Sequence, residues 1–358
     1  MKLNDILNKK EFTKDDIAFL LSLENVDDVE SLRAKAEDLL LTLRGNKVYF
    51  RGLVEFSNIC TSDCYYCGIR KSNTAVERYQ LSKEQIVDAA LWCAGQGYGS
   101  VVLQSGERTD CAFVDSVVEI VREIKRRSVS NALPDGIGIT LCVGEQTEET
   151  YRRFYDAGAH RYLLRIESTS PEIFSRIHPE KQSLGNRINC LKMLKKIGYK
   201  TGTGVMIGIP GQTVQDLAKD ILFFKELDTD MIGMGPYIVH RQTPMASYEN
   251  DVLARYDDIF RMSLKMIAVT RLVLRNVNIA ATTALQSMKP DGREQGLTFG
   301  ANVIMPQLTP TDVRKNYLLY EKKTCLDENA EQCRSCLTGR IGSVGRVVAV
   351  NEWGDRPL

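Results

Sequence analysis

Three cysteines fall within eight residues, Cys60-Thr61-Ser62-Asp63-Cys64-Tyr65-Tyr66-Cys67, at the spacing C-x3-C-x2-C. Thiolates this close can bend around one small inorganic body. Their number is informative. A structural zinc site closes with four ligands, whereas an iron–sulfur cube held by only three leaves one iron free for an exogenous ligand. Asn58 and Asp63 make the stretch too polar for three merely buried cysteines. A zinc knuckle completed by a distant Cys or His is the alternative. A second trio, Cys325, Cys333 and Cys336, follows at C-x7-C-x2-C around the polar run Leu326 to Gln332. That setting places its thiols near the surface. A second iron–sulfur cluster, a zinc site and reduced surface thiols are the readings open to it.

The chain that must position these clusters has 358 residues. At about 150 residues per domain this suggests two, but single α/β barrels of this length are routine. The formal net charge is +1, which argues against a nucleic-acid partner and against a polybasic membrane binder. A chain 43% hydrophobic and 26% charged is neither collagen-like, fibrous nor disordered. No apolar run approaches the roughly 20 residues of a membrane span. The start, Met1-Lys2-Leu3-Asn4-Asp5, lacks the apolar core of a signal peptide. A cytoplasmic location is therefore expected, where thiols stay reduced and clustered cysteines bind metal or catalyse.

Residues 1–47 read as a prefix of short helices that closes a barrel. Thr13 caps one, with Ile17, Leu20 and Leu21 at helical spacing, and another starts near Asp27 and runs through Leu39, Leu40 and Leu43. From Val48 onward, apolar β-branched runs alternate with amphipathic stretches. Strands are expected near 48–56, 100–103, 137–141, 162–166, 201–207, 230–234, 277–281 and 300–305. Between them, sets such as Ile86, Ala89, Ala90, Cys93 and Val114, Val117, Val118, Val121 repeat at helical spacing. Eight βα units predict an α/β fold, a closed (β/α)8 TIM-type barrel over 48–320. It carries the helical prefix and a cysteine-containing extension, 321–358, irregular after about 337. An open doubly wound sheet is the alternative. The first trio directly follows the first strand, on the face where barrels build their active sites.

Other polar residues fall at strand ends. Gln104-Ser105-Gly106-Glu107 follows the second strand, and Gly106 permits close backbone approach. Thr140 ends the third. In the fourth, Arg161, Leu163, Arg165 and Glu167 share one face, with Arg165 and Glu167 expected in the lumen near the mouth. There Arg165 suits a carboxylate and Glu167 a ribose. Arg187 opens the helix before the fifth strand. Thr282 and Thr283 end the seventh, two adjacent hydroxyls that suit a substrate carboxylate. Tyr317 and Tyr320 stand at i and i+3 on an expected helix after the eighth. Each also has a plain structural reading: a turn, a strand-end threonine, a buried ion pair, a solvated arginine, core packing. Cys93, Cys111, Cys142 and Cys190 read as small hydrophobes. His160, His178 and His240 lack metal-ligand spacing, with a solvated role favoured for His178 and His240.

C-x3-C-x2-C after the first strand, with Tyr66 before the last cysteine, resembles the radical SAM superfamily. The resemblance implies a 4Fe-4S cluster on Cys60, Cys64 and Cys67 with S-adenosyl-L-methionine (SAM) on its open iron. An external one-electron reductant then drives cleavage to methionine and a 5′-deoxyadenosyl radical, which is the reactive species in place of a catalytic side chain. Gln104-Ser105-Gly106-Glu107 resembles the Gly-Gly-Glu segment that holds the methionine amino group, with Ser105 in place of the first glycine. Tyr66, Glu167 and Arg187 join the implied SAM-binding set, Arg187 at the methionyl carboxylate. Thr140, Arg161, Arg165, Thr282, Thr283, Tyr317 and Tyr320 are the substrate-side candidates.

The stretches Arg51–Asn58, Tyr66–Arg70, Ala157–Arg165, Ile209–Thr213, Ala280–Ala284 and Ala301–Pro306, with the second trio, resemble the biotin-synthase-like branch. Within it they are similar to the HydE group of FeFe-hydrogenase maturases. That implies assembly of the two-iron subcluster on a cysteine-bound Fe–CO–CN synthon, with HydG and HydF as partners. It also implies an accessory 2Fe-2S or 4Fe-4S cluster on Cys325, Cys333 and Cys336. A methylornithine-synthase-like or biotin-synthase-like enzyme acting on an amino acid, and a non-enzymatic metal-binding maturation scaffold, are the alternatives.

Overall fold

In the computed structural model, which describes residues 3–357, β1 (Lys47–Ser57) is buried along nearly its whole length. A strand covered on both faces belongs in a parallel sheet. It is followed by β2 (Ser100–Ser105), β3 (Gly138–Cys142), β4 (Arg161–Leu163), β5 (Lys200–Thr203), β6 (Met206–Ile207), β7 (Met231–Ile232), β8 (Gly235–Pro236), β9 (Asn278–Ile279), β10 (Val303–Ile304) and β11 (Val347–Ala349). The sheet runs β10-β1-β2-β3-β4-β5-β7-β9 with every neighbour parallel. Its two ends meet. Ala280 bridges Val303, Asn302 N donates to Ile279 O at 2.9 Å, and Ala281 N donates to Val303 O at 2.9 Å. The result is a closed eight-stranded (β/α)8 barrel.

The later strands are shorter than expected. The fifth breaks after Thr203, because Gly204 and Gly233 bring two backbones together: a Cβ on Gly204 would stand 1.9 Å from the Gly233 carbonyl oxygen. Beyond that contact β6 and β8 pair separately. The fourth is regular only over Arg161–Leu163. Further on, Glu167 takes φ +63°, a left-handed backbone that costs a non-glycine residue roughly 1 kcal/mol or more.

The outer helices start where the sequence offers caps. Ser82 and Thr213 each form reciprocal capping boxes, before Lys83–Gly95 and Val214–Glu226. Asp110 caps Cys111–Arg127, which buries Phe113, Val114, Val117, Val118 and Val121 and carries Lys125, Arg126 and Arg127 in its last turn. Among the described residues no helix is long and apolar enough to cross a membrane.

Both flanking segments depart from expectation. Met1, Lys2 and Leu358 lie outside the described residues. The prefix helices Lys14–Leu21, with Thr13 in a capping box, and Val26–Arg44, capped by Asn25, pack on the outer helices Val214–Glu226 and Tyr256–Leu274. They clad the barrel rather than close it. The floor is covered instead by the C-terminal segment, which is irregular only after β11. After helix Ala330–Ser343, β11 pairs with β1, and residues 353–356 cross the N-terminal ends of the strands. There Arg161 Nε meets Asp355 Oδ1 at 2.6 Å, Arg161 Nη2 donates to Trp353 O at 2.6 Å, and the Trp353 ring stacks on His160 at 4.4 Å.

Burial opposes ionisation of Asp355, but His160 and Arg161 outweigh it and hold the carboxyl well below the usual carboxylate range. A carboxylate depressed in the folded state stabilises fully above its unfolded pKa, about 4, and loses that contribution as pH falls. Asp355→Asn is therefore expected to cost about 1–3 kcal/mol at pH 7 and to flatten the acid limb of a melting-temperature profile. An unchanged acid limb excludes this role for Asp355.

Candidate active site at the barrel mouth

The first cysteine loop leaves β1 at Ser57 and is fixed at once. Asn58, fully buried, donates through Nδ2 to Glu77 O and Asn316 O, at 2.8 and 2.7 Å, and accepts from Tyr79 N at 2.8 Å. The turn after β2 then clamps the loop. Thr61 N donates to Glu107 O at 2.9 Å, and Glu107 N donates to Cys60 Sγ at 3.3 Å. Gly106 permits this contact: a Cβ there would stand 2.4 Å from Ile59 O and 2.8 Å from Cys60 Cβ. The glycine read as a close approach to a ligand thus first serves a close approach of two loops.

All three cysteines line one end of a cavity of about 350 Å³, and each thiol lies within electrostatic reach of the others. Cys64 Sγ also faces Gln182 Oε1 at 3.3 Å. Burial pushes all three thiols up, Cys64 to about 12. They are neutral at pH 7 until a metal displaces their protons. Among the described residues no three His, Cys, Asp or Glu side chains are gathered tightly enough to hold one metal ion. Three thiols of one loop, spread across a cavity end, suit a larger inorganic body with space left for a further ligand.

Tyr66, Gln104, Ser105, Gly106, Glu107, Arg165, Glu167 and Arg187 line the same cavity. Glu107 accepts from the Ser62 hydroxyl and from Glu145 N, the latter at 2.7 Å. Arg165 grips Glu167 through Nε and Nη2, at 2.7 and 2.8 Å. Arg187, buried, pairs with Glu145 and donates to Arg165 O. Its plain reading as a solvated arginine does not hold.

Thr282, Thr283, Tyr317 and Tyr320 form another part of the wall. The tyrosines are not on a helix. Helix Thr311–Arg314 stops short of them, and the chain folds back so that Gly68 N donates to Leu319 O at 3.0 Å. Gln104 Nε2 reaches Tyr317 Oη at 3.2 Å.

Thr140 and Arg161 do not join the site. They pair with each other in register at the lower end of the barrel and are buried beside residues 353–356. Arg161 begins β4. At about 3.3 Å per residue, a shared strand face says nothing of height, and Arg165 stands four positions further along the chain. Cys142, read as packing, lines the cavity instead, its thiol pushed up to about 12 by burial. Sequence reading also missed Glu55, Gln182 and Lys323. Lys323 pairs with Glu55 on the cavity wall. A charged residue alternating with apolar ones in β1 was the available signal for Glu55.

None of the second trio lines this cavity. Cys325 is half-buried and lies within electrostatic reach of Cys333. Cys333 is buried on helix Ala330–Ser343, contrary to the expected surface position. Cys336, one turn on, is exposed and accepts from Arg340 Nε at 3.5 Å. His178 and His240 are buried rather than solvated. His178 stacks on Phe174 at 4.0 Å, and burial lowers its pKa to about 3.

The clamp makes Gly106→Ala informative. The added methyl meets backbone, so iron incorporation on reconstitution is expected to fall several-fold, with a lower melting temperature. Gly339→Ala, inside a helix with nothing within 4 Å of its Cβ, leaves iron content unchanged and does not lower the melting temperature. Equal iron content in the two variants contradicts the clamp.

Comparison with known proteins places this geometry. The family model of the Radical SAM superfamily matches residues 54–224. The [FeFe] hydrogenase maturase subunit HydE of Thermotoga maritima is 40% identical over 98% of this chain and 95% of its own. The 3-methylornithine synthase of Methanosarcina acetivorans is 27% identical over 86% of this chain and 82% of its own. The solved methylornithine synthase PylB shares the fold at TM-score 0.80, with 24% identity and 98% of both chains covered. Similarity at this level along almost the whole of both chains establishes that this chain belongs to the radical SAM superfamily, whose members use a 4Fe-4S cluster and SAM, and is an enzyme of the HydE hydrogenase-maturase type.

Proposed function

We propose that this enzyme cleaves SAM beside Cys60, Cys64 and Cys67 and acts on a cysteine-bound Fe–CO–CN synthon during assembly of the FeFe-hydrogenase two-iron subcluster. The observation that carries the reading is a single cavity lined at once by the cysteine trio and by the Thr282, Thr283, Tyr317 and Tyr320 wall. When bound and reduced, the cluster supplies the electron that splits SAM into methionine and a 5′-deoxyadenosyl radical.

The chain's own residues bind, orient and exclude water. Among the described residues no cation forms an ion pair with Glu107, which suits it and the Gly106 turn to the SAM ammonium. Glu167, turned by its left-handed backbone and gripped by Arg165, presents oxygens to a ribose. Arg187 adds positive charge for the methionyl carboxylate, and Tyr66 closes the cofactor side. Leu163, Leu164, Met206 and Met305 line the cavity with apolar surface, which keeps water and stray hydrogen donors from a radical. Arg165, Thr282, Thr283, Tyr317 and Tyr320 face the substrate. Cys325, Cys333 and Cys336 hold an accessory iron–sulfur cluster outside the cavity. The proposed setting is the cytoplasm, with an external one-electron reductant, HydG supplying the synthon and HydF receiving the product.

Anaerobically reconstituted protein is expected to be brown, absorbing near about 400 nm, and to form 5′-deoxyadenosine from SAM under dithionite. Cys60→Ala, Cys64→Ala and Cys67→Ala should each abolish that product, while Cys333→Ala lowers iron per chain and leaves the product intact. A wild-type enzyme that forms no 5′-deoxyadenosine ends the reading. Similarity to 3-methylornithine synthase supports a second one, which turnover of lysine would favour.

A further inference from the structure

The cations on the cavity wall are balanced one by one: Arg165 by Glu167, Arg187 by Glu145 and Lys323 by Glu55. Arg293 is not. It sits on helix Gly292–Thr298, 3% exposed, and Nη2 donates to Thr283 Oγ1 at 2.7 Å. Its Nε and Nη1 are buried without a partner, and among the described residues no carboxylate pairs with it. The adjacent Glu294 turns away to Arg340. A guanidinium keeps its charge at any ordinary pH, and a buried charge without a counter-ion is costly.

The bond to Thr283 has a chemical direction. A hydroxyl carries one donor hydrogen and two acceptor sites. Since Arg293 occupies an acceptor site, the Thr283 hydrogen stays free to donate, and Thr283 lines the cavity. Beside it, Thr282 also lines the cavity, and its Oγ1 is buried with no partner among the described residues. The result is a pair of hydroxyls with a positive charge behind them that no carboxylate among the described residues balances, although the Cys333 thiol lies within its electrostatic reach. A carboxylate satisfies both features; a neutral amide satisfies only the hydroxyls.

We propose that Arg293 is a positioning residue that acts through Thr283, holding that hydroxyl as a donor to the substrate's carboxylate, whose negative charge in turn offsets the guanidinium. The assignment rests on the proposed function, with a cysteine-derived substrate in this cavity.

The test uses the reconstituted enzyme with SAM bound and no reductant, and reads binding by calorimetry. The probes are S-methyl-L-cysteine and its carboxamide. Wild-type enzyme is expected to prefer the carboxylate by roughly tenfold or more, the scale of a hydrogen bond to a charged group. Arg293→Met and Thr283→Val should each bring the ratio close to unity, and the double variant should add nothing further, since both act through one hydroxyl. Arg293→Leu, which likewise removes both the donor and the charge, serves if Arg293→Met fails to fold. A wild-type enzyme that binds neither probe or does not discriminate, a preference retained in a folded Arg293 variant, or additive losses overturn the proposal. Formation of 5′-deoxyadenosine by the wild-type enzyme, measured separately, shows whether the underlying reading has failed instead.

Discussion

Two backbone amides hold the active centre together. Thr61 reaches across to Glu107, and Glu107 reaches back to the sulfur of Cys60. This reciprocal contact joins the loop after β1 to the turn after β2, and Gly106 leaves the space for it. Everything else at the mouth is referred to that junction. The first cysteine is set relative to Glu107, Glu107 is fixed by Ser62 and the Glu145 amide, and Glu145 anchors Arg187. A ligand that spans three thiols and a carboxylate therefore meets groups whose separations are set by the barrel strands rather than by flexible side chains.

Beyond the junction, the cavity is an exercise in charge neutralisation. Ion pairs shielded from water gain strength as the surrounding dielectric falls, and an unpaired member becomes a liability. Pairing Arg165, Arg187 and Lys323 with glutamates lets an apolar-lined cavity tolerate polar chemistry. The pairs also rigidify their surroundings. Glu167 is kept in a left-handed conformation partly because Arg165 holds both of its oxygens.

Much of this was legible in the sequence because it is local. A trio of cysteines within one loop, capping residues before helices and eight alternating runs depend on nearby neighbours only. The comparisons support the family that those cysteines suggested. What could not be read depends on height along a strand and on distant segments. Period two put Arg161 and Arg165 on one face, but could not say that one lies at the floor and the other near the mouth. Tyr317 and Tyr320 reach the cavity from an irregular segment because Gly68 and Leu319 pin it there, although their spacing suggested a helix. Cys142 looks like filler in isolation, and only the convergence of strand ends exposes it to the cavity. Burial of Cys333 follows from packing of helix Ala330–Ser343 on the barrel, which no polar run of residues announces.

The floor of the barrel has an implication for how the chain is made. Arg161 and Asp355 are separated by 194 positions. At ribosomal speeds of about 5–20 residues per second, roughly 10–40 seconds pass between the emergence of the two. Throughout that interval the Arg161 guanidinium lacks both its cover and its counter-ion. The floor is thus completed only after Asp355 has emerged, well after the strand it serves.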